Sequence, residues 1–326
     1  MKELSIIIVN WNSKDFLRSC LRSLSRHHKA TDFEVVVVDS GSFDGCAEML
    51  AAEFPSAIFL QSEENLGFAR ANNLGASRAC GQSVLFLNPD TEFIEDTIQV
   101  LAAQLETLPG AGAVGCRLLN RDRSLQTSCV QPFPTVLNRV IDSEFLRRRF
   151  PRWKIWGMRP LFAGRAVPVD AVSGACILME RQFFLSIGGF AEVYFMYGED
   201  VDLCYKIKQA GLRVYYIPET SLLHFGGGSS QQSASNFSNV MLRESTYRFM
   251  QRHRGTVTAI LFRSATTVVS MARMILVALL LPFPGRSVVQ HGAGSLQKWL
   301  AILRWGLGLE CWVRRYPKSQ DLSAAR

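Results

Sequence analysis

"LSIIIVNWNSKDFLRSCLRSL", residues 4–24, joins a run of β-branched side chains to a stretch with helical spacing through a polar turn. The run from Leu4 to Asn10 predicts a buried strand, because β-branched residues favour extended backbone. Apolar residues then recur at positions 16, 17, 20, 21 and 24, which predicts a helix that begins behind Ser13 as its N-cap. The stretch is therefore typical of a βα unit whose helix packs on a sheet.

The same alternation continues through the first half of the chain. Further strands are predicted at 33–39, 57–61, 83–88 and 111–116. Strands that alternate with helices are typical of an α/β fold, in which helices flank a mostly parallel sheet. Residues 118–167 show no clear period. A second ordered block follows, in which "VDAVSGACILM" (169–179) predicts a strand entering a glycine turn and "DLCYKIKQAG" (202–211) predicts a helix that Gly211 closes.

Polar residues follow three of these strands at the point where each strand ends. Any one such group is explained by a turn, which Asn, Asp, Pro and Gly favour. In open α/β sheets, however, ligands bind beyond the carboxyl ends of the strands, so three groups together favour a ligand cleft. The groups are Asn10, Trp11 and Asn12, then Asp39, Ser40 and Gly41, and then Asn88, Pro89 and Asp90.

Charge is distributed unevenly along the 326 residues. Residues 1–240 carry 23 Lys and Arg against 25 Asp and Glu, whereas residues 241–326 carry 13 against 3, so the net charge of +8 combines −2 in the body with +10 in the tail. A body near neutrality argues against a general nucleic-acid surface. A basic tail that contains apolar runs suits an anionic membrane face, and the alternative is a solvated basic tail.

The tail contains a strongly apolar stretch from Thr256 to Phe283, interrupted by Arg263 and Arg273. A helix that spanned a membrane here would bury an arginine at a cost of about 2.5–3.5 kcal/mol. A helix lying in the membrane interface would let both arginines reach headgroups, and we favour it over a spanning helix or a buried core helix. A separate basic and aromatic stretch, "FLRRRFPRWKIWGMRP" (145–160), fits either a solvated loop or a mobile segment that meets an anionic acceptor or lipid headgroups.

The eight cysteines include no C-x-x-C pair and no spacing typical of a zinc site. We expect free thiols in a reducing compartment. The apolar run from Leu4 to Val9 is too short for a signal peptide, so the catalytic body is expected to stay in the cytosol.

Carboxylates crowd the start of the helix predicted in the second block. A helix dipole accounts for one acidic residue there, but Glu199, Asp200 and Asp202 make three. His224 follows a predicted strand and precedes three glycines, where a backbone can approach a ligand closely. A lone histidine is usually structural, so its functional weight depends on Asp90 and Asp200.

Six motifs occur in order along residues 4–250: "IIIVNWNSKDFLRSCLRSL", "VVVVDSGSFDG", "NLGFARANN", "FLNPDTEF", "SGACILMERQFFLSIGGFAEVYFMYGEDVDLCYKIKQAG" and "HFGGGS". With them the chain resembles the family 2 glycosyltransferases, and more narrowly their rhamnosyltransferase-like branch. The resemblance implies a Rossmann-like GT-A fold over residues 1–250. Its nucleotide-binding half would cover about 1–117 and its acceptor and catalytic half about 118–250, followed by a helical, membrane-associating tail over 251–326.

The resemblance also implies roles for particular residues. Asp90 and His224 would hold Mg²⁺ or Mn²⁺ against the diphosphate of the donor, and Asp200, with Glu199 beside it, would be the catalytic base. Asn88 stands where the family's first metal-binding Asp stands, which predicts weak or partial metal dependence. The nucleotide sugar would be bound by Asn10, Asn12, Asp39, Asn65, Gly67, Arg70, Asn72, Asn88, Ser173 and Gly174, with Asp39 reading the base.

We therefore expect an inverting enzyme that moves one sugar, rhamnose from dTDP-rhamnose, to a lipid-linked glycan or polysaccharide precursor. It would work in the cytoplasm, attached peripherally to the inner face of the cell membrane, with no nucleic-acid partner. The alternatives are a transferase for another donor, such as UDP-galactofuranose, and a catalytically silent nucleotide-sugar-binding protein, which Asn88 motivates. The lack of a G-x-G-x-x-G motif after the first strand argues against a dinucleotide oxidoreductase.

Overall fold

The computed structural model describes residues 3–28, 32–142, 144–226, 235–280 and 286–316, which fall into two compact units. The first unit comprises Met1–Phe133, Phe145–Glu192 and Glu199–Ser229. The second unit comprises Pro134–Glu144, Val193–Gly198 and Ser230–Arg326.

Strands and helices alternate along the chain. All five strands predicted in its first half are present, with ends within one residue of prediction except at β6, which continues to Leu119. The strands are β1 (Leu4–Asn10), β2 (Phe33–Ser40), β3 (Ile58–Ser62), β4 (Ser83–Leu87), β5 (Thr91–Phe93), β6 (Ala111–Leu119), β7 (Val130–Gln131), β8 (Val167–Val169), β9 (Ala171–Val172), β10 (Cys176–Glu180) and β11 (Arg213–His224). The helices are α1 (Lys14–His27), α2 (Cys46–Glu53), α3 (Gly67–Arg78), α4 (Thr97–Thr107), α5 (Val136–Val140), α6 (Glu144–Arg149), α7 (Arg181–Ser186), α8 (Glu199–Gln209), α9 (Ser235–Arg254), α10 (Thr256–Leu280) and α11 (Arg286–Gly306).

The central sheet of the first unit has the strand order β3-β2-β1-β4-β10-β6-β11-β5, and β8 pairs with β11. The first four strands are parallel to their neighbours, as expected for successive βα units. β10 is antiparallel to β4 and β6, and β11 is parallel to β6 but antiparallel to β5 and β8. The predicted α/β sheet is confirmed, and its second half adds strands of both directions to the parallel block.

The strand register brings polar strand ends together. In the β1–β2 pair, Asn10 lies opposite Asp39. In the β11–β5 pair, His224 lies opposite Thr91, which directly follows Asp90. The carboxyl ends of β1, β2, β4 and β11 are therefore the places where this sheet presents polar side chains.

Apolar side chains cover both faces of β1. Ile6, Ile7 and Ile8 are fully buried, as expected for a strand with helices on either side. The predicted helix α1 buries Leu17, Cys20, Leu21 and Leu24, so its apolar stripe faces the sheet as expected.

The start of α1 departs from the prediction in one respect. Ser13 occupies the N-cap position, but its side chain makes no capping bond. Its hydroxyl donates instead to Asn10 Oδ1 at 3.0 Å, and Asp44 accepts the Lys14 N–H at 2.9 Å. Asp44 also accepts the Cys46 N–H at 3.1 Å where α2 begins. One carboxylate thus stabilises the amino-terminal ends of two helices.

The basic and aromatic stretch 145–160 contains short helical turns. It includes α6 and single turns at Lys154–Trp156 and Arg159–Phe162. Trp156 is buried, and Phe150 stacks on Trp153 with ring centroids 4.3 Å apart. Part of this stretch therefore belongs to the folded unit, and neither a solvated loop nor a mobile segment describes all of it.

Helices α5, α9, α10 and α11 build the second unit around a core of its own. That core includes Phe195, Met241, Met250, Phe262 and Trp305. Among the described helices, α10 over Thr256–Leu279 is long and apolar enough to cross a membrane, with 17% of its apolar window buried. The end of the predicted apolar stretch, residues 281–283, lies outside the described residues.

Both arginines of α10 make contacts inside the second unit. Arg263 donates to the Trp305 carbonyl at 2.7 Å and to the Gly306 carbonyl at 3.1 Å, where α11 ends. Carbonyls in the last turn of a helix lack intrahelical partners and favour a cation. Arg273 donates to the Asp142 carbonyl at 3.2 Å. The expectation that these arginines reach outward to headgroups is therefore wrong.

All eight cysteines are free thiols, as predicted. Six are buried, whereas Cys80 in the first unit and Cys311 in the second are exposed.

Candidate active site

The ends of β4 and β11 bring Asp90 and His224 together. Asp90 is 7% exposed, and its Oδ1 lies 3.4 Å from Nε2 of His224. The amide nitrogen of Asn88 also lies 3.4 Å from that Nε2. The Phe225 N–H donates to the Asp90 carbonyl at 2.9 Å, which ties the two strand ends together. His224 thus forms one cluster with Asn88 and Asp90, although it lies 136 positions after Asn88.

Gln126 sets the orientation of the His224 ring. Its amide nitrogen donates to the His224 carbonyl, so its Oε1 is the atom that faces Nδ1 of the same residue, at 2.8 Å. Because an amide oxygen can accept but cannot donate, Nδ1 must carry a proton. In the neutral imidazole the lone pair is then on Nε2, which faces Asp90 and Asn88.

This cluster suits a divalent cation. A carboxylate oxygen and an imidazole lone pair converge from two strands, and Mg²⁺ or Mn²⁺ accepts few protein ligands when substrate phosphates complete its coordination. Histidines that bind metals commonly donate their other ring N–H to an oxygen, as His224 does to Gln126. Asn88 supplies a neutral amide in place of a second carboxylate. Of Asn88, Asp90 and His224, it is therefore Asp90 that carries a negative charge.

Asp200 is held at the start of α8 by several N–H donors. Its Oδ2 accepts the Gly174 N–H at 3.0 Å and the Gln131 side-chain amide at 3.2 Å. Its Oδ1 accepts the Val201 N–H at 2.8 Å. Glu199, the other predicted catalytic carboxylate, is 6% exposed at the first position of the same helix. The carboxylate of Asp200 is therefore fixed in orientation before any substrate binds.

The loop Ser173–Ala175 links Asp200 to the cluster of Asn88, Asp90 and His224. The Asn88 N–H donates to the Ala175 carbonyl at 3.0 Å, while the Gly174 N–H donates to Asp200. A Cβ at Gly174 would lie 3.3 Å from both Cβ of Asp200 and Cζ of Phe68. Glycine therefore lets α3 and α8 approach the loop closely at this point.

Asp39 and Asn10 form a second buried group at the ends of β2 and β1. Asn10 donates to Asp39 Oδ1 at 2.8 Å, and both side chains are fully buried. The other oxygen, Oδ2, accepts from Gln61 at 2.7 Å and from the Ser42 and Phe43 N–H groups. Burial by itself raises the pKa of Asp39, but the hydrogen bonds from Ser42, Gln61, Asn10 and Phe43 bring it below its ordinary value. A nucleobase N–H would have to replace one of these donors.

Asp39, Asp44 and Cys46 place potential ligand atoms within 4.8 Å of one another. Their chemistry does not suit a cation, because hydrogen-bond donors already occupy the carboxylate oxygens. Burial, followed by the charges of Asp39 and Asp44, raises the pKa of the Cys46 thiol, so it stays protonated. Metals bind thiolate and not thiol, so this group holds backbone in place.

The residues predicted to close over the nucleotide follow β3. Asn65 Oδ1 accepts the Gly67 N–H at 2.9 Å and the Ser40 hydroxyl at 3.3 Å, which places this turn against the end of β2. Arg70 lies on the first turn of α3 with its guanidinium 3.4 Å from Glu64. Asn72 is buried and donates to the Phe68 carbonyl one turn earlier. Asn12 is exposed after β1 with a φ of 51°, a left-handed conformation that Asn tolerates.

The structure adds functional candidates that the sequence analysis missed. Gln126 and Gln131 orient His224 and Asp200, and Gln61 orients Asp39. Both Gln126 and Gln131 lie in the segment without a clear period. The polar stretch 120–124 was the available signal for a turn. In the structure an isolated bridge between Leu119 and Leu125 closes that turn.

Comparison with known sequences gives consistent matches. The chain matches the family described as Glycosyl transferase family 2 over residues 5–172. It is 30% identical over 268 residues to the N-acetylglucosaminyl-diphospho-decaprenol L-rhamnosyltransferase of Mycobacterium tuberculosis, which covers 77% of this chain and 85% of that protein. It is 26% identical over 259 residues to the rhamnosyltransferase WbbL of Escherichia coli, which covers 76% of this chain and 93% of that protein.

A solved structure shares the fold. The mannosyltransferase PcManGT from Pyrobaculum calidifontis, in complex with GDP-Man and Mn²⁺, matches with a TM-score of 0.59 and 16% sequence identity. The match covers 94% of this chain and 87% of that protein. The predicted fold class is confirmed.

Proposed function

This chain belongs to glycosyl transferase family 2, and we propose that it moves a single rhamnose from dTDP-rhamnose to a lipid-linked glycan with inversion at the anomeric carbon. The loop Ser173–Ala175 carries the proposal, because it bonds Asn88 on one side and Asp200 on the other. A carboxylate that can accept a proton is thereby held next to the strand end where a donor diphosphate would bind. Both relatives named above are rhamnosyltransferases, which supports rhamnose as the sugar.

The acceptor proposed is a sugar carried on a polyisoprenyl diphosphate. The name of the M. tuberculosis relative specifies N-acetylglucosamine joined to decaprenol through a diphosphate. We assign the same chemical class of acceptor to this chain.

The reaction would be one displacement. The acceptor hydroxyl gives its proton to Asp200 while its oxygen forms a bond to the anomeric carbon and the bond to the donor diphosphate breaks. Glu199 is assigned to the same catalytic group. A divalent cation, Mg²⁺ or Mn²⁺, held by Asp90 and His224 would supply positive charge that offsets the charge of the departing diphosphate. A single displacement needs one base, and it inverts the configuration.

Donor binding is assigned to the strand ends and to the turn before α3. Asn10 and Asp39 would face the base, and the turn at Asn65 and Gly67 would close on the nucleotide. The full proposed set is Asn10, Asn12, Asp39, Asn65, Gly67, Arg70, Asn72, Asn88, Ser173 and Gly174.

We also propose that the protein acts in the cytoplasm at the inner face of the cell membrane. The basic tail over 251–326 would attach it peripherally, with α10 lying in the interface. The catalytic domain would cover about residues 1–250.

The test is calorimetric titration of the full chain with dTDP-rhamnose, UDP-sugars and GDP-sugars, with Mg²⁺ or Mn²⁺ and again with EDTA. We expect selective binding of dTDP-rhamnose that weakens when the metal is removed. Asp200→Asn should bind the donor with an unchanged Kd but lose transfer by about 10²–10⁴-fold. Asp15→Asn, at an exposed position of α1, is the matched control and should keep full transfer.

Two outcomes would contradict the proposal in different ways. Preferential binding of UDP-galactofuranose would show that the donor is wrong while the transferase stands. Binding of no donor by a protein shown to be folded would favour the catalytically silent alternative, which the neutral Asn88 motivates.

A further inference from the structure

A pocket in the second unit is lined by arginines from two elements. Arg139 comes from α5 and Arg243 from α9, and they share the pocket with Asp142, Thr246, Thr266 and Trp299. The cavity volume of the pocket is about 30 Å³, enough for more than one water molecule, and the pocket opens to solvent.

Positive charge is concentrated at this pocket. Arg273 of α10 donates to the Asp142 carbonyl at 3.2 Å, and its guanidinium lies 4.5 Å from the centroid of the Trp299 ring. Burial lowers the pKa of Arg243 to about 10; the Asp142 carboxylate opposes this change, and the positive charges of Arg139 and Arg273 add to it. Among the described residues in and beside the pocket, the guanidinium groups of Arg139, Arg243 and Arg273 outnumber the carboxylate of Asp142, so a bound anion would offset an excess of positive charge.

Thr266 is a second, independent sign of a ligand. Thr266 is 8% exposed, and its Oγ1 is buried without a hydrogen-bond partner among the described residues. A buried hydroxyl without a partner is costly, because it has lost its hydrogen bonds to water. Since Thr266 lines the pocket, its hydroxyl can donate to an oxygen atom placed there.

The surroundings of the pocket indicate an amphiphilic ligand. Pocket residues Phe262, Thr266 and Val269 lie on one face of α10. A different face of the same helix exposes apolar side chains at helical spacing, including Leu261 (57% exposed), Val268 (59%) and Ile275 (61%). An apolar stripe of this kind is typical of a helix in contact with a bilayer. The pocket therefore combines an anion site with an apolar helix that suits hydrocarbon.

We propose that this pocket binds the phosphate groups of a lipid, specifically the diphosphate of the polyisoprenyl-linked acceptor. The choice of the acceptor lipid rests on the proposed function; the anion site itself rests on the geometry of the second unit. Arg139 and Arg243 would pair with the phosphate oxygens, Thr266 would donate a hydrogen bond, and the hydrocarbon chain would follow α10.

The test is binding of the full chain to phosphatidylcholine vesicles that contain a long-chain polyprenyl diphosphate. Arg243→Gln and Arg139→Gln should each raise the Kd by about tenfold or more, as expected for loss of a charge-assisted hydrogen bond. Thr266→Val, which keeps the shape and removes the hydroxyl, should raise it by about threefold or more. Arg254→Gln removes the same charge at the exposed end of α9 and should change the Kd by less than about twofold.

Further arms distinguish the sources of the anion. Vesicles in which phosphatidylglycerol replaces the polyprenyl diphosphate should bind more weakly, and inorganic diphosphate alone should compete poorly. Equal weakening by Arg254→Gln and Arg243→Gln would overturn the proposal, because it would show non-specific attraction to the surface. Inorganic diphosphate that competes as well as the lipid would overturn the assignment to a lipid.

The proposed function and this inference fail separately. If rhamnose transfer is confirmed but Arg139→Gln, Arg243→Gln and Thr266→Val all bind the lipid normally, this inference is wrong and the function stands. If the pocket variants lose lipid binding while no donor binds the protein, the function is wrong and the lipid phosphate site stands. Thermal unfolding of each variant identifies any that do not fold, and the remaining pocket variants then decide the result.

Discussion

His224 owes its orientation to Gln126, a residue 98 positions earlier in the chain. The paired hydrogen bonds leave one nitrogen of the ring protonated and direct the other toward Asp90. A side chain that has this effect without touching the substrate is a positioning residue, and its loss should be measurable on binding of the proposed divalent cation.

Gln126→Ala should weaken Mn²⁺ binding by about tenfold or more, because outer residues that orient metal-binding histidines typically have effects of this size. Without the acceptor at Nδ1, the ring proton is free to move to Nε2. Titration calorimetry measures the affinity, and ¹⁵N NMR of the ring nitrogens identifies the tautomer. Gln126→Glu keeps an acceptor at Nδ1 and should keep that nitrogen protonated, although it loses the N–H that donates to the His224 carbonyl. An unchanged tautomer in Gln126→Ala would refute the positioning role.

Asp39 makes stability depend on pH. Its hydrogen bonds lower the pKa of Asp39 in the folded chain below the ordinary value of 3.8, in spite of burial. The stability that the Asp39 carboxylate contributes is therefore fully present above pH 3.8, and it is lost as the pH falls through the lower pKa of the folded chain. Asp39→Asn should lower the free energy of unfolding at pH 7 by about 1–3 kcal/mol. The difference from the native chain should shrink as the pH falls from 4 to 2, which urea unfolding at each pH would measure. A difference that stays constant would show that charge is not the cause.

The sequence predicted residues at strand ends well and residues in irregular segments poorly. Asp90 and Asn88 directly follow an apolar run, and the paired strands bring them to His224. Gln126 and Gln131 follow no periodic element, and their partners are distant in sequence. A pattern reports the local backbone, whereas the contacts of these side chains depend on tertiary structure.

At the scale of elements, the close approach of α3 and α8 to the loop Ser173–Ala175 depends on one glycine. Gly174→Ala would place a methyl group 3.3 Å from Asp200 and from Phe68, so one of these side chains must shift. The shift needed is a few tenths of an ångström. Because a misplacement of about 1 Å costs about 10²-fold in rate, this smaller shift of Asp200, the proposed base, should lower kcat by about two- to tenfold with a small change in thermal stability.

Gly164→Ala is the matched control for that change. No heavy atom lies within 4 Å of the position that its Cβ would take, so transfer and stability should stay near those of the native chain. Equal activity of Gly174→Ala and Gly164→Ala would show that the spacing between α3 and α8 does not matter for the reaction.

The sequence also predicted the helix that begins at Thr256 but not the contacts of its arginines. Periodicity placed Arg263 and Arg273 in an apolar helix, and headgroups were the partners expected. In the structure, the carbonyls at the end of α11 and the carbonyl of Asp142 are their partners. Polar groups at helix ends need hydrogen-bond partners. In the folded chain these partners come from elements distant in sequence, which a periodicity within one segment cannot predict.

At the scale of the whole molecule, the tail cannot be treated as a removable anchor. Residues of α10 and α11, including Phe262 and Trp305, share a core with Phe195 and Met250 of the same unit. Deleting residues 256–326 would uncover that core, so a truncated chain would report misfolding as well as loss of attachment. The boundary near residue 250 between a catalytic domain and a membrane-associating tail stays a prediction.

Substitutions on the exposed stripe of α10 test attachment without this problem. Leu261→Asp together with Ile275→Asp should reduce binding to vesicles of anionic lipid by about tenfold or more, because each exposed apolar side chain gains about 1.5–3 kcal/mol on burial. Leu185→Asp, at an exposed position in the first unit, is the control and should bind as the native chain does. Vesicle flotation measures both, and undiminished binding by the double variant would exclude α10 from the attachment surface.

The two exposed cysteines provide attachment points for fluorescent labels. Six of the eight cysteines are buried, and burial raises the pKa of Cys20 to about 12, so these thiols react slowly with alkylating dyes. Cys80 and Cys311 are exposed, one in each unit. Fluorescent labels can therefore be attached at one cysteine in each unit without changing the sequence. Energy transfer between the two labels would then report whether the distance between Cys80 and Cys311 changes when a nucleotide sugar is added.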